Sequence, residues 1–177
     1  MNLDAKVQEL LDRQAIHDLI ARYSRTLDWL DDEGQAGCYW PDAAIDYGFF
    51  TGTAAEFVPV VMAVERSTGR RWHMLAPLSV KLTSATTAEG ECYGVALGFR
   101  RESDAEPYKG NMYGGRYLDT YEKRGIENGE EWRIASRRYI MDWTMPMPDQ
   151  PDASPNAAFP LPMLDLRESG HPDYRRM

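Results

Sequence analysis

Two residues of this chain have the types needed to move a proton together. Asp28 closes a long N-terminal helical segment, and His73 opens a strand in Arg71-Trp72-His73-Met74-Leu75. They lie 45 positions apart. Of the three histidines, His73 alone is set in a strongly apolar strand; His17 lies beside Asp18 on the first helix, and His171 lies in the tail. An imidazole with a pKa of about 6.5 is largely neutral, and so basic, at pH 7. A carboxylate that holds its Nδ1 proton leaves Nε2 free to accept another and stabilises the imidazolium that forms. Such a positioned base contributes roughly 10²–10⁴-fold to a proton transfer. The chemistry it suits is β-elimination, such as loss of water, or a related cleavage such as loss of formaldehyde. Isomerisation, in which the same proton is returned elsewhere, is equally open. None of these needs a cofactor, and none is expected. No metal is expected either, since the three histidines have no ligand spacing. The chain carries no Gly-rich phosphate loop and no nucleophile elbow.

The elements that must position this pair follow from periodicity. Leu3 to Trp29 has helical period, with Leu3, Val7, Leu10, Leu11, Ile16, Leu19, Ile20, Tyr23 and Leu27 on one stripe. Asn2 or Asp4 caps its start and Asp31-Asp32-Glu33-Gly34 ends it. A short helix is expected from Ala36 to Trp40, stopped by Pro41, and a strand from Ala44 to Phe50. Ala54 to Arg66 reads as a third helix with Phe57, Val60, Val61 and Val64 inward. After Gly69 the period becomes two, giving strands at Trp72–Leu82, Glu91–Arg101, Asn111–Lys123 and Trp132–Trp143. Alternation places Leu75 on the face of His73, and Trp143 on the face of Arg137.

Helices followed by a run of strands predict an α+β fold, with the helices packed on one face of a strongly curved, mostly antiparallel sheet. Such a cone encloses an internal pocket. Gly94, Gly98, Gly110, Gly114 and Gly115 lie in or beside the strands, as bending requires. Residues 1–145 form the domain. Residues 146–177 form an irregular arm, with seven prolines between Pro146 and Pro172.

Composition limits the partners. A net charge of −8 argues against nucleic acid, whose phosphates need clustered cations. There is no apolar run long enough to span a membrane, and the N-terminus lacks the pattern of a signal peptide. Two cysteines make no disulfide framework, so a reducing cytoplasm is the expected compartment. Ten tyrosines, five tryptophans and nine methionines give a soft, aromatic-rich interior that favours a bulky, apolar, aromatic substrate.

The order of elements resembles the NTF2-like superfold, and within it the SnoaL-like branch. The segment Leu10-Leu11-Asp12-Arg13-Gln14-Ala15-Ile16-His17-Asp18-Leu19 is similar to the opening helix of that branch. Leu27-Asp28 resembles its helix-ending aspartate, and Arg71-Trp72-His73 its strand histidine. Gly114-Gly115-Arg116-Tyr117 through Glu131-Trp132-Arg133-Ile134 resembles its closing hairpin. The likeness spans about residues 5–145. The aspartate and histidine together point to the scytalone dehydratase and hexachlorocyclohexane dehydrochlorinase branch, where the histidine removes a proton and the aspartate orients it.

Carried over residue by residue, Asp28 and His73 match both enzymes. Tyr47, in Ile45-Asp46-Tyr47, matches a dehydratase tyrosine that polarises the substrate carbonyl. Arg137 matches the pocket arginine of the dehydrochlorinase, whose pocket lysine aligns with Tyr23. Leu27 stands where the dehydratase has a second tyrosine, Cys92-Tyr93-Gly94 lacks its later histidine, and its serine and asparagine fall near Gly115 and Tyr117. These departures argue against scytalone itself as substrate. The resemblance thus implies a catalytic set of Asp28, His73, Tyr47 and Arg137. Tyr23, Tyr117, Leu75 and Trp143 are expected to bind substrate, and the tyrosines and Arg137 to donate hydrogen bonds to a developing oxyanion.

The reading is therefore a cofactor-independent lyase, a dehydratase or a deformylating enzyme. Its substrate would be a hydroxylated aromatic compound, lignin-derived diaryls included. The alternatives are an isomerase using the same dyad, or a passive binder of a hydrophobic ligand in which Asp28 and His73 form a structural pair. A structural small subunit of an aromatic-ring dioxygenase ranks lower, because it lacks the dyad. The open sheet face implies a homo-oligomer, a trimer being favoured. The arm, with Phe159, Leu161, Met163 and Leu164, is expected to lie over a neighbour or to close the pocket mouth.

Overall fold

The computed structural model describes residues 3–103, 105–150, 158 and 160–177. Helix α1 (Leu3–Asp28) opens the chain, followed by α2 (Asp32–Ala36), β1 (Tyr39–Asp46), β2 (Thr51–Thr53) and α3 (Ala54–Ser67). Five strands complete the domain: β3 (Arg70–Leu75), β4 (Ser79–Leu82), β5 (Thr87–Arg100), β6 (Lys109–Ile126) and β7 (Gly129–Pro146). The sheet order is β2-β1-β7-β6-β5-β3, with β4 also paired to β5. Every pairing is antiparallel except β1 with β7, which is parallel. The architecture is α+β, with helices packed on a curled sheet that does not close.

α1 buries only its C-terminal half. Ile16, Leu19, Ile20, Tyr23 and Leu27 enter the core, whereas Leu3, Val7, Leu10 and Leu11 are exposed. Packing begins at Asp12, whose carboxylate accepts hydrogen bonds from Lys123 Nζ (3.0 Å) and Trp132 Nε1 (2.8 Å). The helix ends in a Schellman turn: Asp31 N–H reaches the Thr26 carbonyl (2.9 Å) and Leu30 N–H the Leu27 carbonyl (3.2 Å). Leu30 takes the left-handed position at φ 56° that glycine usually fills. Complete burial of its side chain offsets the strain. This sharp stop fixes Asp28 as the last residue of α1.

Several boundaries differ from the sequence expectation. The second helix starts at Asp32 rather than Ala36, because the Asp31 side chain accepts from Gly34 N–H (3.0 Å) and caps it. Pro41 therefore lies within a strand. It falls where the β1–β7 register shifts, between Tyr39 and Ala44, the place where a residue without an N–H costs least. In α3 the buried stripe is Ala54, Phe57, Val58, Val61 and Met62; Val60 and Val64 are exposed instead of inward. The expected strand Trp72–Leu82 is broken at Ala76-Pro77-Leu78 into β3 and β4, and alternation restarts there: Leu78 is buried and Ser79 exposed.

The β6–β7 pair is irregular at two places. Its register shifts between Gly114 and Gly115 and between Thr120 and Tyr121. Each bulge adds a residue and bends the pair. The glycines serve close approach: a Cβ on Gly110 would strike the Gly98 carbonyl, and one on Gly114 the Trp143 indole.

The arm folds back on its own chain. Tyr174 Oη and Arg176 Nε donate to Asp31 Oδ2, both at 2.8 Å, and Tyr174 stacks on Trp29. Leu166 is buried, and its N–H donates to the Gly69 carbonyl (2.8 Å). Leu161, Met163 and Leu164 remain exposed, and Phe159 lies outside the described residues.

Candidate active site

The end of α1 meets β3 at one carboxylate. Asp28 Oδ1 lies 2.7 Å from His73 Nδ1, and Asp28 Oδ2 accepts the His73 backbone N–H at 3.1 Å. Holding both the ring and the main chain of one residue fixes the imidazole's tilt as well as its tautomer. The opposite ring nitrogen, Nε2, lies 3.8 Å from Glu65 Oε1, contributed by the last turn of α3. α3 is set by its own start, where Glu56 Oε2 accepts from the Thr53 backbone N–H (2.9 Å) and hydroxyl (2.7 Å).

Arg71 ties these elements together. It shares the face of His73, two residues along β3, and its side chain is almost wholly buried. Its guanidinium donates to the carbonyls of Asp28 (3.2 Å), Glu65 (2.6 Å) and Leu166 (2.6 Å), and lies 3.4 Å from Glu65 Oε2. The ends of α1 and α3 and the arm are thereby pinned to one cation.

The electrostatics follow from this set. Burial of the His73 ring disfavours its charge, yet the hydrogen bond to Asp28 and the nearby Glu65 and Asp28 charges outweigh it and raise its pKa above the ordinary value. Burial likewise raises Glu65, only partly countered by His73 and Arg71. The pair faces a cavity of about 610 Å³. Register places Ala96 of β5 and Tyr113 of β6 beside His73 on the cavity wall. Asn111 lines the same wall, and Arg100 and Lys109 stand at its rim.

The other expected site residues lie elsewhere. Tyr23, Tyr117 and Arg137 are buried and Tyr47 partly so; together they form a cluster whose members are not among the residues lining this cavity. Tyr23 Oη and Tyr47 Oη are hydrogen-bonded at 3.0 Å, and Tyr47 stacks on Tyr139. Arg137, 1% exposed, makes a fork with Asp119 (Nε–Oδ1 2.8 Å, Nη2–Oδ2 2.7 Å). The Tyr23 and Tyr117 rings pack against it, with centroids 4.2 and 4.4 Å from its Cζ. The expectation that Arg137 offers free donors to a substrate is corrected by that geometry: Asp119 takes its fork, which the sequence did not reveal. Burial raises the pKa of the clustered tyrosines, so they stay neutral. Leu75 and Trp143 border a separate cleft of about 360 Å³. Trp143 pairs with Gly114, whereas Thr144 pairs with Tyr113; the bulge has moved Trp143 off the face of His73 and Arg137.

Glu65 and Arg71 were not singled out from sequence. Arg71 carried a signal, since period-two spacing puts it on His73's face. Glu65 carried none, because α3 meets β3 only in three dimensions. Among the described residues no cluster of three or more histidine, cysteine or carboxylate side chains is arranged to hold a metal. No helix among them is long and apolar enough to cross a membrane.

The SnoaL-like domain profile matches residues 8–138. The chain belongs to the SnoaL-like domain family. No curated protein matches it in sequence. Among solved structures, a provisionally assigned scytalone dehydratase from Novosphingobium aromaticivorans superposes with a TM-score of 0.68 at 18% identity, over 83% of this chain and 97% of that one. A type 2 hexachlorocyclohexane dehydrochlorinase, LinA, gives a TM-score of 0.69 at 21% identity, over 85% of this chain and 98% of that one. The type 3 LinA of Novosphingobium barchaimii gives 0.67 at 21%, over 80% and 94% respectively. At such identities the likeness establishes the fold, which is NTF2-like.

Two outcomes are expected. Asp119→Ala leaves Arg137 buried without its counter-ion and should cost about 3–5 kcal/mol in denaturant unfolding. The double replacement Asp119→Leu with Arg137→Met should recover much of that loss, which a catalytic arginine with a loose structural role would not predict. The second outcome concerns pH. With its folded pKa raised, His73 stabilises the fold fully below about pH 6.5, and this contribution fades as pH rises through the folded value. The thermal midpoint should therefore fall from neutral to mildly alkaline pH, and His73→Gln should flatten that slope.

Proposed function

We propose that this protein is a cofactor-independent lyase in which the Asp28–His73 dyad removes a proton from a hydroxylated aromatic small molecule. The observation that carries this reading is the 2.7 Å contact of Asp28 Oδ1 with His73 Nδ1, in a residue that lines a cavity of about 610 Å³. That volume lies within the range of small-molecule sites. Asp28 holds the Nδ1 proton, Nε2 accepts the substrate proton, and the imidazolium is stabilised by the same carboxylate. Tyr113 and Asn111 line the cavity, and in this reading they bind the substrate's oxygens. The Tyr23, Tyr47, Tyr117 and Arg137 cluster supports the sheet behind the site. Dehydration is the favoured reaction, with deformylation of lignin-derived diaryl compounds and isomerisation as variants of the same proton abstraction. The kinds of chemistry named for the dehydratase and dehydrochlorinase neighbours support elimination.

A passive binder is the rival reading. One observation favours it: Arg71 gathers α1, α3 and the arm around the dyad, as a structural polar centre would. The two readings separate in one experiment. Hydroxylated aromatic monomers and dimers are screened for ultraviolet change with no added cofactor. The lyase reading expects turnover with a pH limb set by His73, and a loss of at least about 10²-fold in His73→Ala while far-ultraviolet dichroism is retained. Ligand binding without turnover, together with a His73→Ala protein that loses its fold, would favour the passive binder.

The compartment we infer is the reducing cytoplasm, where the buried free thiols of Cys38 and Cys92 persist. We also infer a homo-oligomer, with a trimer favoured, built on the convex sheet face. Trp72, Met74, Trp143 and Met145 stand out from that face at 45–53% exposure, an apolar row that solvent disfavours. Trp72→Lys should shift the mass measured by light scattering toward the monomer; an unchanged mass would remove this face as the interface.

A further inference from the structure

We propose that Glu65 is the acid of this site and shares one mobile proton with His73 Nε2, so that a proton acceptor and a proton donor are loaded together. The inference rests on His73 acting as the base, and it extends that reading to how the leaving group departs.

Charge counting leads to it. The buried set contains Asp28, Glu65, Arg71 and His73. Arg71 is always cationic and balances one carboxylate. Neutrality then requires one further proton, on either His73 Nε2 or Glu65. Low-dielectric surroundings penalise any other count, because an uncompensated buried charge is costly. Oε1 and Nε2 lie 3.8 Å apart in two residues that line the same cavity, close enough to exchange a proton after a small side-chain shift. Burial favours the protonated carboxyl of Glu65, which is the form an acid needs.

The remaining charged groups near the pair do not upset this count. Asp28 faces His73 from α1, Arg71 from β3 and Glu65 from α3. Arg66 and Asp165 act on Arg71. Arg100, Lys109 and Asp149 sit around the cavity, with Tyr113 as its phenol. Two of these three charges are cationic, which suits an oxygen that gains negative charge as it leaves.

The step balances. His73 Nε2 takes the proton from carbon, and the C–H electron pair becomes the new C=C bond. The C–O bond of the neighbouring carbon breaks with its electrons moving to oxygen. That oxygen takes the Glu65 proton and departs as water. The site is left with imidazolium and carboxylate, and transfer of the proton from Nε2 to Oε1 restores the starting state without solvent exchange. An acid and a base side by side on one wall match a syn elimination, whose hydrogen and hydroxyl lie on the same face of adjacent carbons. The substrate class is an alcohol whose hydroxyl is β to an acidic C–H.

The test uses the full chain labelled with ¹⁵N-histidine and ¹³C-glutamate, titrated by NMR as the unmodified protein, Glu65→Gln and Glu65→Asp. Sharing predicts that His73 Nε2 and the Glu65 carboxyl report the same two inflections. In Glu65→Gln a single His73 inflection should remain, at lower pH, since a charge that favours the imidazolium has gone. Independent titration, with Glu65 in the ordinary carboxylate range, overturns the proposal whether or not a substrate is found. With a compound found in the screen above, Glu65→Gln should lose the alkaline limb and about 10²-fold in kcat. Glu65→Asp keeps the charge and should retain the limb. Should His73→Ala be inactive while Glu65→Gln keeps its rate and pH profile, Glu65 is a mere counter-ion to Arg71 and only this proposal falls. Should His73→Ala stay active, the base itself is misassigned.

Discussion

The carboxylate of Asp28 grips the ring and the main chain of a single residue, and the arrangement of the site hangs on that double hold. A contact to the ring alone would leave His73 free to swing about χ1. A contact to the backbone N–H alone would leave its tautomer open. Both together set which nitrogen carries the proton and where the other points. The hold exists because α1 stops abruptly after Asp28, in a Schellman turn with a leucine in the left-handed position.

Two buried cations divide the interior between them. Arg137 is neutralised by Asp119 and enclosed by tyrosine rings, so it supports the sheet and has no fork left for a ligand. Arg71 spends its donors on main-chain carbonyls of three segments and keeps only a looser ion pair with Glu65. The contrast matters for function. A closed fork is inert, whereas a carboxylate held loosely beside an imidazole can still change its protonation. The proposed chemistry therefore belongs at the α1–α3–β3 junction, and the tyrosine cluster is part of the packed core.

The SnoaL-like framework tolerates this division because its cavity is walled by strands that are long and bent. Register across β3, β5 and β6 brings His73, Ala96 and Tyr113 into one row, and the small Ala96 leaves room beside the imidazole. The fold thus supplies a site geometry that different side chains can occupy. In this chain the group beside the histidine is the Glu65 carboxylate from α3.

Local pattern alone determined much of this protein. The period of Leu3–Trp29 and of Ala54–Arg66 marked two helices, and period-two segments after Gly69 marked the sheet, because each regular element repeats the face it buries. The isolation of His73 in an apolar strand and the position of Asp28 at a helix end marked the dyad. Tertiary structure decided what periodicity cannot encode. Bulges in β6–β7 shift alternation by one residue, so Trp143 left the face on which strict counting put it. Pro77 restarted the phase between β3 and β4. Asp119 claimed Arg137 from across a hairpin. Glu65 came to Nε2 from a helix whose end meets β3 only after both have packed on the sheet, and no spacing within one chain records the distance between two such ends.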